Sequence, residues 1–189
     1  MGKAADDRLV NLFGALATGI VDASVTDIAL SGDLDTTACA ALVTMLELVP
    51  YSSAHRLSQL CGVSHSGAVR MVNRLAEAGY VERGPGPDRR TVTVTLTRRG
   101  QRVAQRIRDA RHQAIATTLS SLTARQRTQL TGISEVLVAS LTSSRLAQRQ
   151  AGAVPSGGAL CRMCDPSACG RPAGNCPAAR TAGGGTRSA

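Results

Sequence analysis

Aromatic side chains are almost missing from this 189-residue chain, which holds no Trp, two Tyr and one Phe. The residues that usually line a pocket for a flat organic ligand therefore cannot be picked out of it. Long apolar runs are missing too: nothing approaches the roughly 18 residues a membrane span needs, and no charged-then-apolar secretory start is present. The expectation is a cytoplasmic protein with no membrane contact. Histidine is scarce. His55, His65 and His112 have no partnered carboxylates at a spacing suited to acid–base work, so an enzyme reading finds no support.

What the chain does have is positive charge gathered in one region. Residues 1–50 carry 2 Lys or Arg against 7 Asp or Glu, whereas residues 51–110 carry 11 against 4. Net charge thus runs from −5 to +7, then +4 over 111–150 and +3 over 151–189, within a total of +9. Clustered Arg suits a polyanion, because each guanidinium set against a phosphate releases condensed counterions. A merely solvated basic surface is the alternative. At 43% hydrophobic and 19% charged, the composition fits one globular core with appendages.

Apolar residues Leu9, Leu12, Phe13, Leu16, Ile20 and Val21 recur at spacings of three and four, predicting a helix from Asp6 to about Ile28. A polar loop over Ser31–Asp35 precedes a second, mostly buried helix over Thr36–Val49, stopped by Pro50. A short helix over Ser53–Leu60 breaks at Cys61-Gly62-Val63, and Ser64 opens a fourth that runs to Ala78 and ends at Gly79. The period then changes: Tyr80–Arg83 and the alternating Thr91–Thr97 read as strands joined by Gly84-Pro85-Gly86-Pro87-Asp88, a β-hairpin. Thr97 caps a helix over 98–120, and Thr123 with Gln126 forms a capping box for a last helix striped by Leu130, Ile133, Leu137 and Leu141. From Ala151 the chain is rich in Gly, Pro, Ala and Ser and reads as a tail that does not fold without help.

A short helix, a turn at Gly62 and a second helix make a helix-turn-helix, whose second helix enters the DNA major groove. On that second helix Ala68, Val72, Leu75 and Ala76 fall on the core side, with Ser66, Gly67, Arg70, Asn73, Arg74 and Glu77 outward. Arg reads guanine through two bonds, Asn pairs with adenine, and Ser64, Ser66 and Gly67 let backbone amides approach phosphate. His65 points toward the core side by the same wheel and ranks as a weaker contact. The bland reading of Arg70 and Arg74 is solubilising surface charge. A hairpin with Asp88, Arg89 and Arg90 at its tip, directly after such a unit, argues against it. The fold class is mainly α, a winged helix-turn-helix with flanking helices.

The chain resembles the MarR-type regulators over about residues 6–147, most specifically in Leu57-Ser58-Gln59-Leu60-Cys61-Gly62-Val63-Ser64, Val69-Arg70-Met71-Val72-Asn73-Arg74-Leu75, Gly79-Tyr80-Val81-Glu82-Arg83 and Asp88-Arg89-Arg90. The resemblance implies a homodimer on a pseudo-palindromic site in double-stranded DNA. It divides the chain into N-terminal dimerisation and support helices (1–50), a DNA-binding domain (51–97), C-terminal dimerisation helices (98–150) and the tail (151–189). It also implies that Asp88 orients Arg89 or Arg90 into the minor groove, and that a small-molecule effector between the dimer helices and the DNA-binding lobe releases a repressor. Helix one carries no cysteine, so the peroxide mechanism of the family's redox sensors does not transfer.

Four of the six cysteines, Cys161, Cys164, Cys169 and Cys176, stand in sixteen residues as C-x2-C-x4-C-x6-C. Two thiolates from one turn plus two more complete a tetrahedral site, so zinc is the leading cofactor. An iron–sulfur cluster and reversible disulfides are the alternatives, and either would make the tail a sensor. Cys39 and Cys61 sit at apolar positions and read as small buried hydrophobes. Besides a ligand-released repressor, two further readings stand: a metal- or redox-responsive regulator, and a nonspecific nucleoid-type binder.

Overall fold

The computed structural model describes residues 3–29, 34–86, 92–152 and 157–184. The fold is mainly helical, with a single two-stranded sheet among the described residues. Its helices are α1 (Lys3–Ala29), α2 (Thr36–Glu47), α3 (Ala54–Cys61), α4 (His65–Glu77), α5 (Arg98–Leu119), α6 (Ala124–Gln150) and α7 (Pro177–Gly184). The strands are β1 (Val81–Pro85) and β2 (Val92–Leu96).

Most helix starts are set by a side chain that occupies an otherwise orphaned backbone donor. Asp35 accepts from the Ala38 amide at 2.8 Å, Ser53 from Arg56 at 3.2 Å, Ser64 from Gly67 at 3.1 Å and Thr97 from Gly100 at 3.0 Å. Thr123 and Gln126 form the full reciprocal capping box. Helix α2 ends at Glu47, two residues before the predicted stop, where both Leu48 and Val49 turn their amides onto the Thr44 carbonyl. Helix α3 ends on Gly62 in the left-handed region, at φ 70°.

Helix α2 is the centre of the molecule: every residue from Ala38 to Met45 is buried. Leu42 and Met45 meet Leu57 of α3, Leu75 of α4 and Ile107 of α5 in one core, closed by Val81 and Val94 from the sheet. Burial of five such large side chains contributes about 1.5–3 kcal/mol each. The hairpin pairs Val81 with Leu96 through to Pro85 with Val92, so β1 extends two residues past the predicted Arg83. Ser52 adds a further bridge to Val94 through two backbone hydrogen bonds of 3.2 and 2.7 Å. Gly100 lets α5 start against the backbone of Tyr80, where a Cβ would meet the Tyr80 carbonyl oxygen at 1.9 Å.

Helix α1 packs on α5. Much of its apolar face nevertheless stays uncovered in the single chain, with Leu9, Leu12, Phe13, Leu16 and Val21 all exposed. Helix α6 buries no residue at all, and Ile133, Val136, Leu137 and Leu141 lie open. Its main packing partner within the chain is α7. The C-terminal segment departs from the expected tail: residues 157–184 form a chain of turns leading into α7 and lie against the core. The help it needs comes from its neighbours, since Met163 packs on the core and Thr44 of α2 donates to the Arg162 carbonyl at 2.8 Å.

Candidate nucleic-acid interface

Helices α3 and α4 are joined by Gly62, Val63 and Ser64, and α4 buries Ala68, Met71, Val72 and Leu75. Its opposite face is the reading surface that the sequence proposes. Ser64 spends its hydroxyl on the Gly67 amide and stands 3.2 Å from the Ser66 hydroxyl. The first-turn amides that have no intrahelical partner remain at an exposed helix start, the arrangement that takes up phosphate. Gly67 is half-buried, and a Cβ there would press on the Ser64 hydroxyl at 3.1 Å. Arg70 is exposed and, among the described residues, has no hydrogen bond or ion pair.

The other two outward residues are already engaged. Arg74 donates to Asp35, the α2 cap, at 2.7 Å, with both side chains largely in solvent. Asn73 accepts a hydrogen bond from Arg83 of β1, tying α4 to the wing. Asn73 and Arg74 are therefore held by protein partners, whereas Arg70, among the described residues, is not. Burial opposes ionisation of Asp35, but the Ala38 amide and the Arg74 guanidinium outweigh it and hold the carboxyl below its ordinary value. Asp35 and Arg83 were invisible as site residues in the sequence, because they lie 39 and 10 positions from their partners.

His65 differs from the helical-wheel reading. It is exposed, with its ring 6.0 Å from that of His55 on α3, rather than turned to the core. In the first turn no preceding turn of helix covers a side chain, so a wheel position does not settle its burial. The wing places Arg83 and Glu82 in solvent, but Asp88, Arg89 and Arg90 lie outside the described residues. At the far end of α4, Arg99 stacks 4.8 Å over the Tyr80 ring and donates to the Ala78 carbonyl at 3.0 Å, locking the helix to the start of α5.

The four clustered cysteines carry free thiols, as do the buried Cys39 and Cys61. Burial pushes the Cys39 and Cys61 thiols up to about 11, which agrees with an inert, structural reading. In the C-terminal segment backbone turns draw the cysteines together in two pairs: the Cys164 amide donates to the Cys161 carbonyl at 3.0 Å, and the Asn175 amide, next to Cys176, donates to the Gly170 carbonyl, next to Cys169, at 2.9 Å, while the Cys169 thiol donates to the Pro166 carbonyl at 3.4 Å. The neighbouring Cys161 thiol, helped by the charges of Arg111 and Arg162 and opposed by burial, favours the Cys164 thiolate, and Cys161 is correspondingly held protonated. Among the described residues no group of three or more His, Cys, Asp or Glu is already disposed around a metal ion.

The fold and this surface define a winged helix-turn-helix protein. The MarR family model matches residues 32–91, covering α2, the helix-turn-helix and β1. Two solved proteins from Mycobacterium tuberculosis are 26% identical: Rv1404, over 66% of this chain and 86% of its own with a TM-score of 0.60, and the MarR family protein Rv2887, over 72% and 98% with a TM-score of 0.56. A MarR family protein from Bacillus stearothermophilus is 20% identical over 75% of this chain and 99% of its own, with a TM-score of 0.65. Among curated proteins the sequence has no match. The helix-turn-helix region of the chain is thus similar to that of the MarR-family transcriptional regulators. The family model stops short of the cysteine segment.

Proposed function

We propose that the chain acts in the cytoplasm as a homodimeric, sequence-specific DNA-binding repressor, released by an effector. The observation that carries this reading is the outer face of α4, where exposed Ser66, Arg70, Asn73 and Arg74 sit opposite a fully buried apolar face. An unpaired Arg beside a helix N-terminus combines base reading with phosphate anchoring. The wing extends the footprint through Asp88, Arg89 and Arg90 to the minor groove. A second copy covers the apolar faces left open on α1 and α6, and its two-fold symmetry matches a pseudo-palindromic operator. As a binding protein it works by occupancy, not by catalysis.

For a small-molecule effector, space remains beside the C-terminal segment, in a cavity of about 320 Å³ bordered by Leu48, Leu60, Leu146 and Cys161. The effector acts by binding one lobe arrangement better than the other.

Footprinting and salt-dependent binding test the reading. Two protected half-sites about one helical turn, roughly 10 base pairs, apart are expected. Arg70→Ala should cost about 1–3 kcal/mol on the specific site and relax preference at one base position. Uniform loss on specific and scrambled DNA alike would instead indicate a nucleoid-type binder.

A further inference from the structure

The segment from Gly157 to Gly184 has only Leu160 and Met163 as large apolar side chains, too few to hold a fold by burial. It is nonetheless closely turned. The Cys164 amide bonds the Cys161 carbonyl at 3.0 Å, Arg171 bonds Pro166 at 2.9 Å, and Asn175 bonds Gly170 at 2.9 Å. Asp165 accepts the amides of Ser167 and Ala168 at 2.8 and 3.2 Å. What these turns enclose is thiol: Cys176 is 3% exposed, and Cys161, Cys164 and Cys169 are half-buried. Small folds without a core need a staple, and four free thiols, one buried and three half-buried, supply the ligands of one.

The surroundings favour the same chemistry. A metal with four thiolates carries net negative charge, and Arg111 and Arg162 act on Cys164 while Arg171 acts on Cys161. The turns that join the cysteines contain Gly170 and Gly174, both in the left-handed region at φ 71° and 75°.

The segment also sits where a staple has consequences. On one side Arg145 of α6 donates to the Gly158 carbonyl, and α7 packs on α6. On the other, Ala159 donates to the Leu60 carbonyl at 2.8 Å, and Gly158 lies against Gly62 in the helix-turn-helix turn. We propose that Cys161, Cys164, Cys169 and Cys176 are the all-thiolate ligands of a thiophilic metal, a zinc ion or an iron–sulfur cluster, which staples this segment between α6 and the helix-turn-helix. Binding sends the thiol protons to solvent, and the metal gathers the two pairs into one site.

The test uses the full chain purified without oxygen, loaded with zinc(II) alone in one arm and with iron(II) and sulfide in the other. About one zinc, or one visibly absorbing cluster, per chain is expected in the arm that fits, falling to below about 0.1 in Cys161→Ser and Cys176→Ser. Circular dichroism checks that these variants keep their helices, and chelation of the unaltered chain repeats the comparison without substitution. Loading should slow amide exchange at Leu60–Ser64 and Ala159–Cys164 by about tenfold or more. Failure of both arms to load, or Ser variants that load fully, overturns the ligand set. Loading that leaves exchange unchanged overturns the staple. No readout involves DNA, so these failures leave the DNA-binding reading standing.

Discussion

Gly62 and Gly158 lie backbone to backbone: a Cβ built on Gly62 would stand 2.2 Å from the Gly158 nitrogen, and one on Gly158 would stand 2.4 Å from the Leu60 carbonyl oxygen. Both residues have positive φ, 70° and 65°. The turn of the helix-turn-helix is therefore shaped jointly by its own chain reversal and by a segment nearly a hundred residues later.

Gly62→Ala should separate these two roles. The left-handed conformation alone costs a non-glycine residue about 1–2 kcal/mol, and the clash with Gly158 must also push the C-terminal segment away. Urea unfolding should show the first effect, and limited proteolysis after residue 157 the second. A variant whose segment stays as protected as in the unaltered chain would show that the glycine contact does not hold it.

Asp35 links the α2 cap to Arg74, and its depressed pKa gives the pair a pH signature. A carboxyl whose folded pKa lies below its unfolded value stabilises the fold above the unfolded value, near 3.8, and loses that contribution as pH falls through the folded value. Asp35→Asn keeps a capping side chain but removes the charge. Its stability deficit should be present at pH 7, no larger than about 1 kcal/mol because the pair is exposed, should begin to shrink near 3.8 and should vanish only once pH has fallen below the folded value. A deficit constant across that range would mean that charge plays no part.

The open apolar faces of α1 and α6 predict the oligomeric state. Phe13 is 52% exposed and Ile133 56% exposed in the single chain. Phe13→Glu or Ile133→Glu should shift the sedimenting species from dimer to monomer at micromolar concentration, since a charge buried in the dimer contact costs several kcal/mol. Unchanged sedimentation in both variants would place the dimer contact elsewhere.

Local order was legible in the residues themselves. Ser64, Thr97 and the Thr123–Gln126 box start their helices, Gly62 ends α3, and the alternation of Val92, Val94 and Leu96 marks the second wing strand. Each of these signals lies within a few positions of the backbone it controls, so a linear reading reaches it. The outward run Ser66, Arg70, Asn73 and Arg74 was legible for the same reason.

What the tertiary structure alone decided is how free those side chains are and what the C-terminus does. Arg74 reaches Asp35, Asn73 meets Arg83, and Thr44 binds the Arg162 carbonyl 118 positions away. Periodicity carries no information about such partners, because they meet only after the core has brought α2, α4 and the wing together. The segment that carries the four spaced cysteines was visible in the sequence. Only the folded chain placed it between α6 and the helix-turn-helix, because that segment has too little apolar surface of its own and takes its position from the surfaces it leans on.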